Sequence, residues 1–304
     1  MYELIIIGGG PAGLAASVYA ARKQLNTLLI SGDIGGQINT TLGIENYLGY
    51  QFIEGPELIS KFQTQISQFP IDQKIGEKVT RLEKVKTGFE ITSDSGEKYQ
   101  ARAIIFATGK KPRKINVPGE TELTGRGVTY CAICDGPIFA GQKVAVVGGG
   151  NSGVEAALDM AKIAEHVNLV SNTPLTGDDI LVDQLAALKN LTIFTEYQPL
   201  EIKGDGLVEG MRIKNLKNDE EKFLDVTGIF IEIGLVPNTD VVKGLTELNQ
   251  WREVRVTANN ETNVPGLYAA GDVTDIPEKQ IIVAAGEGAK AALQAHRYLQ
   301  RLAP

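Results

Sequence analysis

From Tyr2 to Ile30 the apolar positions change their period twice. Tyr2-Glu3-Leu4-Ile5-Ile6-Ile7 is a nearly continuous apolar run, the pattern of a strand buried on both faces of a parallel sheet. Gly8-Gly9-Gly10-Pro11-Ala12-Gly13 follows, then an alanine-rich stretch to Lys23 and a second apolar run, Thr27-Leu28-Leu29-Ile30. The prediction is strand, tight turn, helix, strand. Sliding the chain along itself until Gly8 falls on Gly148 superposes a second copy of this pattern. Lys143-Val144-Ala145-Val146-Val147 leads into Gly148-Gly149-Gly150-Asn151-Ser152-Gly153, a helical stretch through Ala164, and Val167-Asn168-Leu169-Val170. The two second strands are expected to end at Ser31 and Ser171.

Elsewhere the pattern is less sharp. Leu58, Ile59, Phe62 and Ile66 predict a helix within Glu54 to Phe69, and short alternating strands run from Val79 to Ile105, ending at Ala107-Thr108-Gly109. Lys110-Lys111-Pro112-Arg113-Lys114 reads as a linker whose charges form a solvated hinge surface. A second crossing is expected at Gly234-Leu235-Val236-Pro237-Asn238-Thr239. Gly266 to Ala270 reads as a buried strand ending at Gly271-Asp272, and Ala284 to Leu302 as a closing helix.

At about 150 residues per domain, 304 residues predict two domains. An apolar fraction of 43%, a charged fraction of 22% and 34 glycines describe a soluble α/β enzyme and exclude a disordered chain or a fibre. The net charge of −7 opposes nucleic acid and anionic membranes as partners. The N-terminus has no basic region before its short apolar run, and no stretch reaches the ~18 apolar residues of a membrane span, so a cytoplasmic location is expected.

The spacing G-x-G-x-x-G has a physical reading in this context. Gly8 and Gly148 make the tight turn, Gly10 and Gly150 admit a pyrophosphate against the backbone, and Gly13 and Gly153 let helix meet strand. Two dinucleotide sites are therefore expected. The two cysteines form Cys131-Ala132-Ile133-Cys134, followed by Asp135-Gly136-Pro137. The motif precedes the second nucleotide-binding strand and is not expected to open a helix after a strand, as it would in a thioredoxin-like domain. Structural zinc needs four ligands, and His166 and His296 are too distant to complete a set, so no metal is expected and a redox-active dithiol is favoured. Asp135 is placed either to supply a proton or to serve as a turn carboxylate. His166 and His296 read as structural, and Trp251 as a packing residue near a loop.

Over essentially its whole length the chain resembles the low-molecular-weight thioredoxin reductases and the reductase portion of the alkyl hydroperoxide reductase flavoprotein. The motifs that carry the resemblance are Gly8 to Gly13, Gly35-Gly36-Gln37, Glu45-Asn46-Tyr47, Ala107-Thr108-Gly109, Cys131 to Gly136, Gly148 to Gly153, Ile233-Gly234 with Pro237-Asn238-Thr239, and Gly271-Asp272-Val273. Cys-Asp-Gly-Pro and Gly-Gly-Gly-Asn-Ser-Gly-Val-Glu-Ala-Ala look closer to the hydroperoxide reductase flavoprotein. The resemblance implies an α/β fold of two Rossmann-like, three-layer ββα dinucleotide-binding domains, of pyridine nucleotide-disulfide oxidoreductase class II. An FAD domain (1–111 and 239–304) would be interrupted by an NAD(P)H domain (112–238) that carries the dithiol. FAD would lie against Gly8, Gly10, Pro11, Ala12, Gly13, Gly35, Gly36, Gln37, Asn46, Ala107, Thr108 and Gly109, with Gly271, Asp272, Gln280 and Ile281 along its ribityl chain and pyrimidine end. NAD(P)H would dock on Gly148, Gly150, Asn151, Ser152, Glu155, Ile233 and Gly234. Cys134 would face the flavin, Cys131 would attack the partner's disulfide, and Asp135 would be the acid. Rotation of one domain against the other and a homodimer are also implied.

Two departures from the family pattern change the expectations. From Ser171 through Leu188 there is no Lys or Arg, while Asp178 and Asp179 add negative charge, so a 2′-phosphate is poorly compensated and NADH is favoured over NADPH. Asp33 is a loose substitute for the missing ribose-binding carboxylate of the first strand. Met1 also leads directly into the first strand, without the extra C-x-x-C unit of the hydroperoxide reductase flavoprotein. The acceptor is therefore expected to be a separate protein: a thioredoxin, a glutaredoxin-like protein or a detached homologue of that unit. Rival readings are a peroxiredoxin-reducing component or NADH oxidase, a reductase fed by ferredoxin, and a non-catalytic flavin redox sensor.

Overall fold

The computed structural model describes residues 1–41 and 43–302; Leu42, Ala303 and Pro304 lie outside the described residues. Strand β1 (Tyr2–Gly9) lies inside a sheet and has parallel neighbours on both edges, β2 (Thr27–Ile34) and β6 (Lys98–Phe106), in the registers Leu4↔Thr27 and Leu4↔Ala103. Leu4 and Ile6 face one side and Ile5 and Ile7 the other, and both sides are covered, which accounts for the unbroken apolar run. With β3 (Asp72–Ile75), β4 (Val79–Val85) and β5 (Gly88–Ser93) the order is β3-β2-β1-β6-β5-β4. Helices α1 (Pro11–Arg22) and α2 (Gly55–Ile66) cross over between these strands. Proline at the first position of α1 suits a turn whose N–H groups have no helical partner.

After β6 the chain leaves this sheet through β7 (Lys110–Pro112) and enters a second one. There β8 (Val128–Thr129), α3 (Ala132–Asp135), β9 (Lys143–Val147), α4 (Asn151–Met160), β10 (His166–Ser171), α5 (Asp179–Leu185) and β11 (Leu191–Thr195) repeat the strand–turn–helix logic. A meander of β12 (Tyr197–Lys203), β13 (Gly210–Asn215) and β14 (Glu221–Leu224) packs Ile202, Met211 and Ile213 against Ala145, Val147 and Ile229 on one face. Val154, Ala157 and Met160 of α4 cover Val144, Val146 and Leu169 on the other. Strand β15 (Gly228–Ile231) sits between β9 and β8, giving the order β11-β10-β9-β15-β8. The chain returns through β16 (Leu235–Pro237), which pairs antiparallel with β7. Strand β17 (Leu267–Ala269) then rejoins the first sheet on β6, and α6 (Ile281–Leu302) closes over it.

Helix α6 meets α1 through small residues: Ala284, Gly288, Ala291 and Ala295 share a face with Ala12, Ala16 and Ala20. At Gly288 the approach is backbone to backbone, since a Cβ there would lie 1.9 Å from the Ala12 carbonyl oxygen.

Several expectations are corrected. The C-x-x-C segment does open a helix after a strand: Cys131 is the N-cap of the one-turn α3, which follows the two-residue β8. Both elements are too short to leave a periodic signal. Lys110 is not part of a solvated run, because strand alternation in β7 turns it inward while Lys111 stays exposed, and its side chain is 9% accessible in an ion pair with Glu253. Trp251 is 66% exposed and packs no core. Strand β2 continues past Ser31 because, beyond a bulge, Gly9 pairs with Ile34. Helix α4 ends at Met160, whose carbonyl accepts turn bonds from both Ile163 and Ala164, and α6 begins three residues before its predicted start, at Ile281.

The tight contact at Gly288 is testable by substitution. Gly288→Ala is expected to cost about 1–3 kcal/mol in urea unfolding through overpacking. Gly286→Ala, on the exposed face where nothing lies within 4 Å, is expected to be neutral or stabilising.

Candidate functional site

The two glycine turns have the same internal geometry. Gly8 and Gly148 adopt φ of 116° and 150°, and a Cβ on either would lie 2.3 Å from Ala107 O or 2.2 Å from Glu232 O respectively. The third glycines are equally constrained: a Cβ on Gly13 would lie 1.8 Å from Gly8 O, and on Gly153, 2.2 Å from Gly148 O. The middle positions behave differently. Nothing lies within 4 Å of a Cβ on Gly10, and only Thr176 Oγ1, at 3.9 Å, lies near one on Gly150. These two glycines cap α1 and α4 and face open space there, where unpaired N–H groups point outward and no acidic residue occupies the first turn. Both cradles fit a pyrophosphate.

Around the first turn the structure gathers most of the remaining residues expected at a flavin. Gly35 N–H donates to Gly9 O at 2.8 Å, and Gly36 N–H donates to Asp33 Oδ1 at 3.2 Å. Asp33 thus closes the Gly35–Gly36 turn. Gln37 Nε2 donates to Asp272 Oδ2 at 2.9 Å, and Asn46 Nδ2 to Gln280 Oε1 at 3.2 Å. A Cβ on Gly271 would lie 2.9 Å from that of Ala12. Segments far apart in the chain therefore meet in pairs: Gln37 with Asp272, Asn46 with Gln280, and Gly271 with Ala12. Ala107 is buried behind Gly8, Gly109 has φ of 63°, and Ile281 opens α6 beside Gln280. Burial pushes the Asp272 carboxyl above the usual range, against the opposing pull of Lys279, Lys110 and the Gln37 hydrogen bond.

Sequence reasoning missed the charged groups behind Asp272. Lys110, on β7, pairs with Glu253, and Lys279 Nζ lies 3.6 Å from the same carboxylate. Lys279 also donates to Thr274 O at 2.7 Å, and burial, then the neighbouring Lys110, lowers its pKa. Glu287 accepts from Gly271 N–H at 2.7 Å and holds the strand-to-loop corner, with its pKa raised by burial. No local motif marks these residues, because their partners come from three separated segments.

At the second turn, Ser171 is buried beneath Gly149, where a Cβ would come 2.2 Å from its Oγ; Ser31 does the same service in the first turn by accepting from Gly9 N–H at 2.7 Å. The loop after β10 folds back on α4: Thr176 N–H donates to Gly149 O at 2.7 Å, and Asp178 N–H to Asn151 Oδ1 at 2.7 Å. Asn151 Nδ2 in turn donates to Asp178 Oδ2 at 3.2 Å, so a carboxylate stands at the start of α4. Ser152 and Glu155 are exposed on the same helix, and Gly234, φ 97°, follows Ile233 beyond β15.

Cys131 and Cys134 are joined by a disulfide with Cα atoms 5.3 Å apart. Cys134 N–H donates to Cys131 Sγ at 3.2 Å, and Cys131 N–H to Thr129 Oγ1 at 3.3 Å. Asp135 is 1% exposed and accepts from the Thr129 hydroxyl. Two further carboxylates, which no motif marks, hold this segment. Glu120 accepts from Ile115 N–H, Asn116 N–H and the Tyr130 hydroxyl, and Glu232 accepts from Ala132 N–H at 3.0 Å. Burial pushes Tyr130 up to about 12. The segment also touches the first unit: a Cβ on Gly43 would lie 2.6 Å from the Phe52 ring and 3.2 Å from Ile138 Cδ1. Ile138, four residues beyond Cys134, therefore lies beside Gly43 of the loop that carries Asn46. Among the described residues no group of three His, Cys, Asp or Glu side chains is arranged to hold a metal, and no helix is long and apolar enough to cross a membrane.

Residues 2–289 match the model of the family described as pyridine nucleotide-disulphide oxidoreductase. Over 301 residues, 99% of this chain, the sequence is 44% identical to the F subunit of alkyl hydroperoxide reductase from Staphylococcus aureus (strain MSSA476), and it spans 59% of that relative's length. The thioredoxin reductase of Streptococcus pyogenes superposes with a TM-score of 0.94 at 36% identity, over 99% of both chains. That of Lactococcus lactis in its FR conformation gives 0.69 at 35% identity, over 99% of this chain and 100% of the other. The chain thus belongs to the pyridine nucleotide-disulphide oxidoreductase family and has the α/β fold of the low-molecular-weight thioredoxin reductases.

Proposed function

We propose that the chain is a flavin-dependent disulfide reductase, in which electrons from a reduced nicotinamide reach the Cys131–Cys134 disulfide and leave through Cys131 to a separate thioredoxin-fold or glutaredoxin-like protein. The observation that carries this reading is the Cys131–Cys134 disulfide in the same unit as the second cradle, followed by Ile138, which lies beside Gly43 of the Asn46 loop near the first cradle. FAD, when bound, supplies the two-electron exchange between hydride and disulfide. Gly8 to Gly13, Gly35 to Gln37, Asn46, Ala107 to Gly109, Asp272 and Gln280 would hold it. Gly148 to Ser152, Glu155 and Gly234 would hold the nicotinamide nucleotide.

The local bonds suit the two sulfurs to different roles. Cys134 N–H points at Cys131 Sγ and favours negative charge there, which suits Cys131 as the thiolate that attacks a partner disulfide. Asp135, buried next to Cys134 and oriented by Thr129, suits proton delivery to the dithiol.

We place the unit boundaries at 111/112 and 238/239. The β7–β16 pair supports this, together with the reciprocal bonds Asn238 Nδ2 to Thr108 O, 2.8 Å, and Thr108 Oγ1 to Asn238 O, 2.9 Å. The drop in TM-score from 0.94 to 0.69 at nearly constant identity is what two rigid units in a different mutual orientation produce. An apolar groove lined by Leu14, Val18, Tyr19, Tyr47, Phe62 and Ile66 suits a homodimer contact. A second reading, in which the acceptor feeds a peroxidase, is favoured by the 44% identity to the hydroperoxide reductase relative.

Donor choice follows from charge. Asp178 stands beside the second cradle without a cation on its loop, so NADH is the proposed donor and NADPH is disfavoured. Steady-state assays are expected to give a kcat/KM for NADH at least about tenfold above that for NADPH, and Asp178→Arg is expected to narrow this ratio by about tenfold. Equal efficiencies in the unmodified enzyme would contradict the assignment. Separately, Cys131→Ser and Cys134→Ser are each expected to lower partner-disulfide reduction by about three orders of magnitude while direct NADH oxidation by oxygen persists. Thioredoxin, a glutaredoxin-like protein, a peroxidase system and, as alternative donor, reduced ferredoxin are the arms of that assay.

A further inference from the structure

Glu232 follows β15 and stands between the two halves of the second unit's chemistry. Because β15 runs parallel to β8, with Ile229↔Val128 and Phe230↔Thr129 in register, the residue beyond its end comes level with the start of the dithiol turn. Its Oε1 accepts the Ala132 N–H at 3.0 Å, and Ala132 is the residue between Cys131 and the rest of the C-x-x-C turn. Its backbone is equally engaged: its N–H bonds to Val147 O at 2.8 Å, and its carbonyl is the atom that a Cβ on Gly148 would strike. One residue therefore touches the floor of the nucleotide turn with its main chain and the dithiol turn with its carboxyl group.

We propose that Glu232 is a positioning residue that anchors the dithiol turn through Ala132 and, by gaining or losing its proton, sets the thiolate character of Cys131. The anchoring follows from the hydrogen bond: without an acceptor there, a part-buried N–H at the first turn of α3 loses its partner. The electrostatic part follows from proximity, since a carboxylate one peptide unit from Cys131 opposes a thiolate and a neutral carboxyl group does not. Burial first, and then the charge of Glu155 on α4, pushes the Glu232 carboxyl up to about 7, against the Ala132 hydrogen bond that favours the ionised form. Besides Glu155, the ionisable groups on the α3 turn that it bonds to are Cys131, Cys134 and Asp135. As the pH rises through 7, Glu232 gains negative charge, so the Cys131 thiol becomes harder to ionise over the range in which it would otherwise start to do so.

The proposal rests on the disulfide reductase reading, but its test does not depend on donor or acceptor. The FAD-loaded protein is reduced with dithiothreitol, freed of reductant under argon, and alkylated with iodoacetamide between about pH 5.5 and 9, with modification of Cys131 followed by peptide mass. Wild type is expected to show an inflection near 7 in addition to that of the thiol. Glu232→Gln, which keeps an acceptor for Ala132 and removes the charge, is expected to lose that inflection and to shift the thiol's midpoint down by about one pH unit. Glu232→Ala is expected to lose the inflection as well, and also to slow re-formation of the disulfide on oxidation by a small-molecule disulfide, which takes up the two electrons and two protons, by about tenfold relative to Glu232→Gln, because only it frees the turn. Superimposable alkylation profiles for wild type and Glu232→Gln overturn the electrostatic role, and equal reoxidation rates for the Gln and Ala variants overturn the anchoring role. If the cysteine variants retain partner reduction while these profiles behave as expected, the reductase reading fails and the Glu232 coupling stands.

Discussion

The close approach of backbone to backbone at the two glycine turns is the constraint on which the structure depends. Each apolar strand must end, reverse and enter a helix within six residues, and it does so only because Gly8 and Gly148 adopt positive φ values against a neighbouring carbonyl while Gly13 and Gly153 lie on the carbonyl of that same first glycine. The middle glycines are free of such contacts, which leaves the helix N-termini accessible to an anion. Fold and proposed binding site thus draw on the same two motifs, with different members of each serving each purpose.

Once both turns are in place, the connections between the units decide what they can exchange. The chain crosses from one sheet to the other twice, and the crossings are tied by the short β7–β16 pair and by the exchange of bonds between Thr108 and Asn238. These are few and local contacts, compatible with a joint that bends. Past the disulfide, Ile138 comes close to Gly43 of the opposite unit, while Ile133 remains 65% exposed at the tip of its turn.

Buried acids recur at the corners of both sites. Glu120, Glu232 and Glu287 each accept backbone N–H groups where a segment must be held without regular secondary structure, and Asp135 does comparable work through Thr129. Burying a carboxylate is costly unless it is hydrogen-bonded, and Asp272, Glu232 and Glu287 are all raised above the ordinary range by burial. Near Asp272 the cost is offset by Lys110 and Lys279. Burial opposes ionisation of their partner Glu253 too, yet hydrogen bonds from Lys110 and Asn249 and the charges of Lys110 and Lys279 hold it below its ordinary value.

The residue order alone determined the two strand–turn–helix repeats, the α/β class, the closing helix and the C-x-x-C pair, because each rests on periodicity or on a glycine spacing contained within a few consecutive positions. It also pointed to Gly36, Gln37, Asn46, Asp272 and Gln280 through resemblance, and the fold brings these together. What the sequence could not disclose was any feature whose partners lie far apart along the chain. Lys110 read as part of a solvated run, yet one-residue alternation in a three-residue strand turns it toward Glu253; Trp251 read as packing, yet it stays exposed. No motif marks Glu232, and only the parallel register of β15 beside β8 brings its carboxyl group to the dithiol turn. Local pattern governs which elements form, whereas long-range register and burial decide which side chains meet and which charges must share a low-dielectric interior.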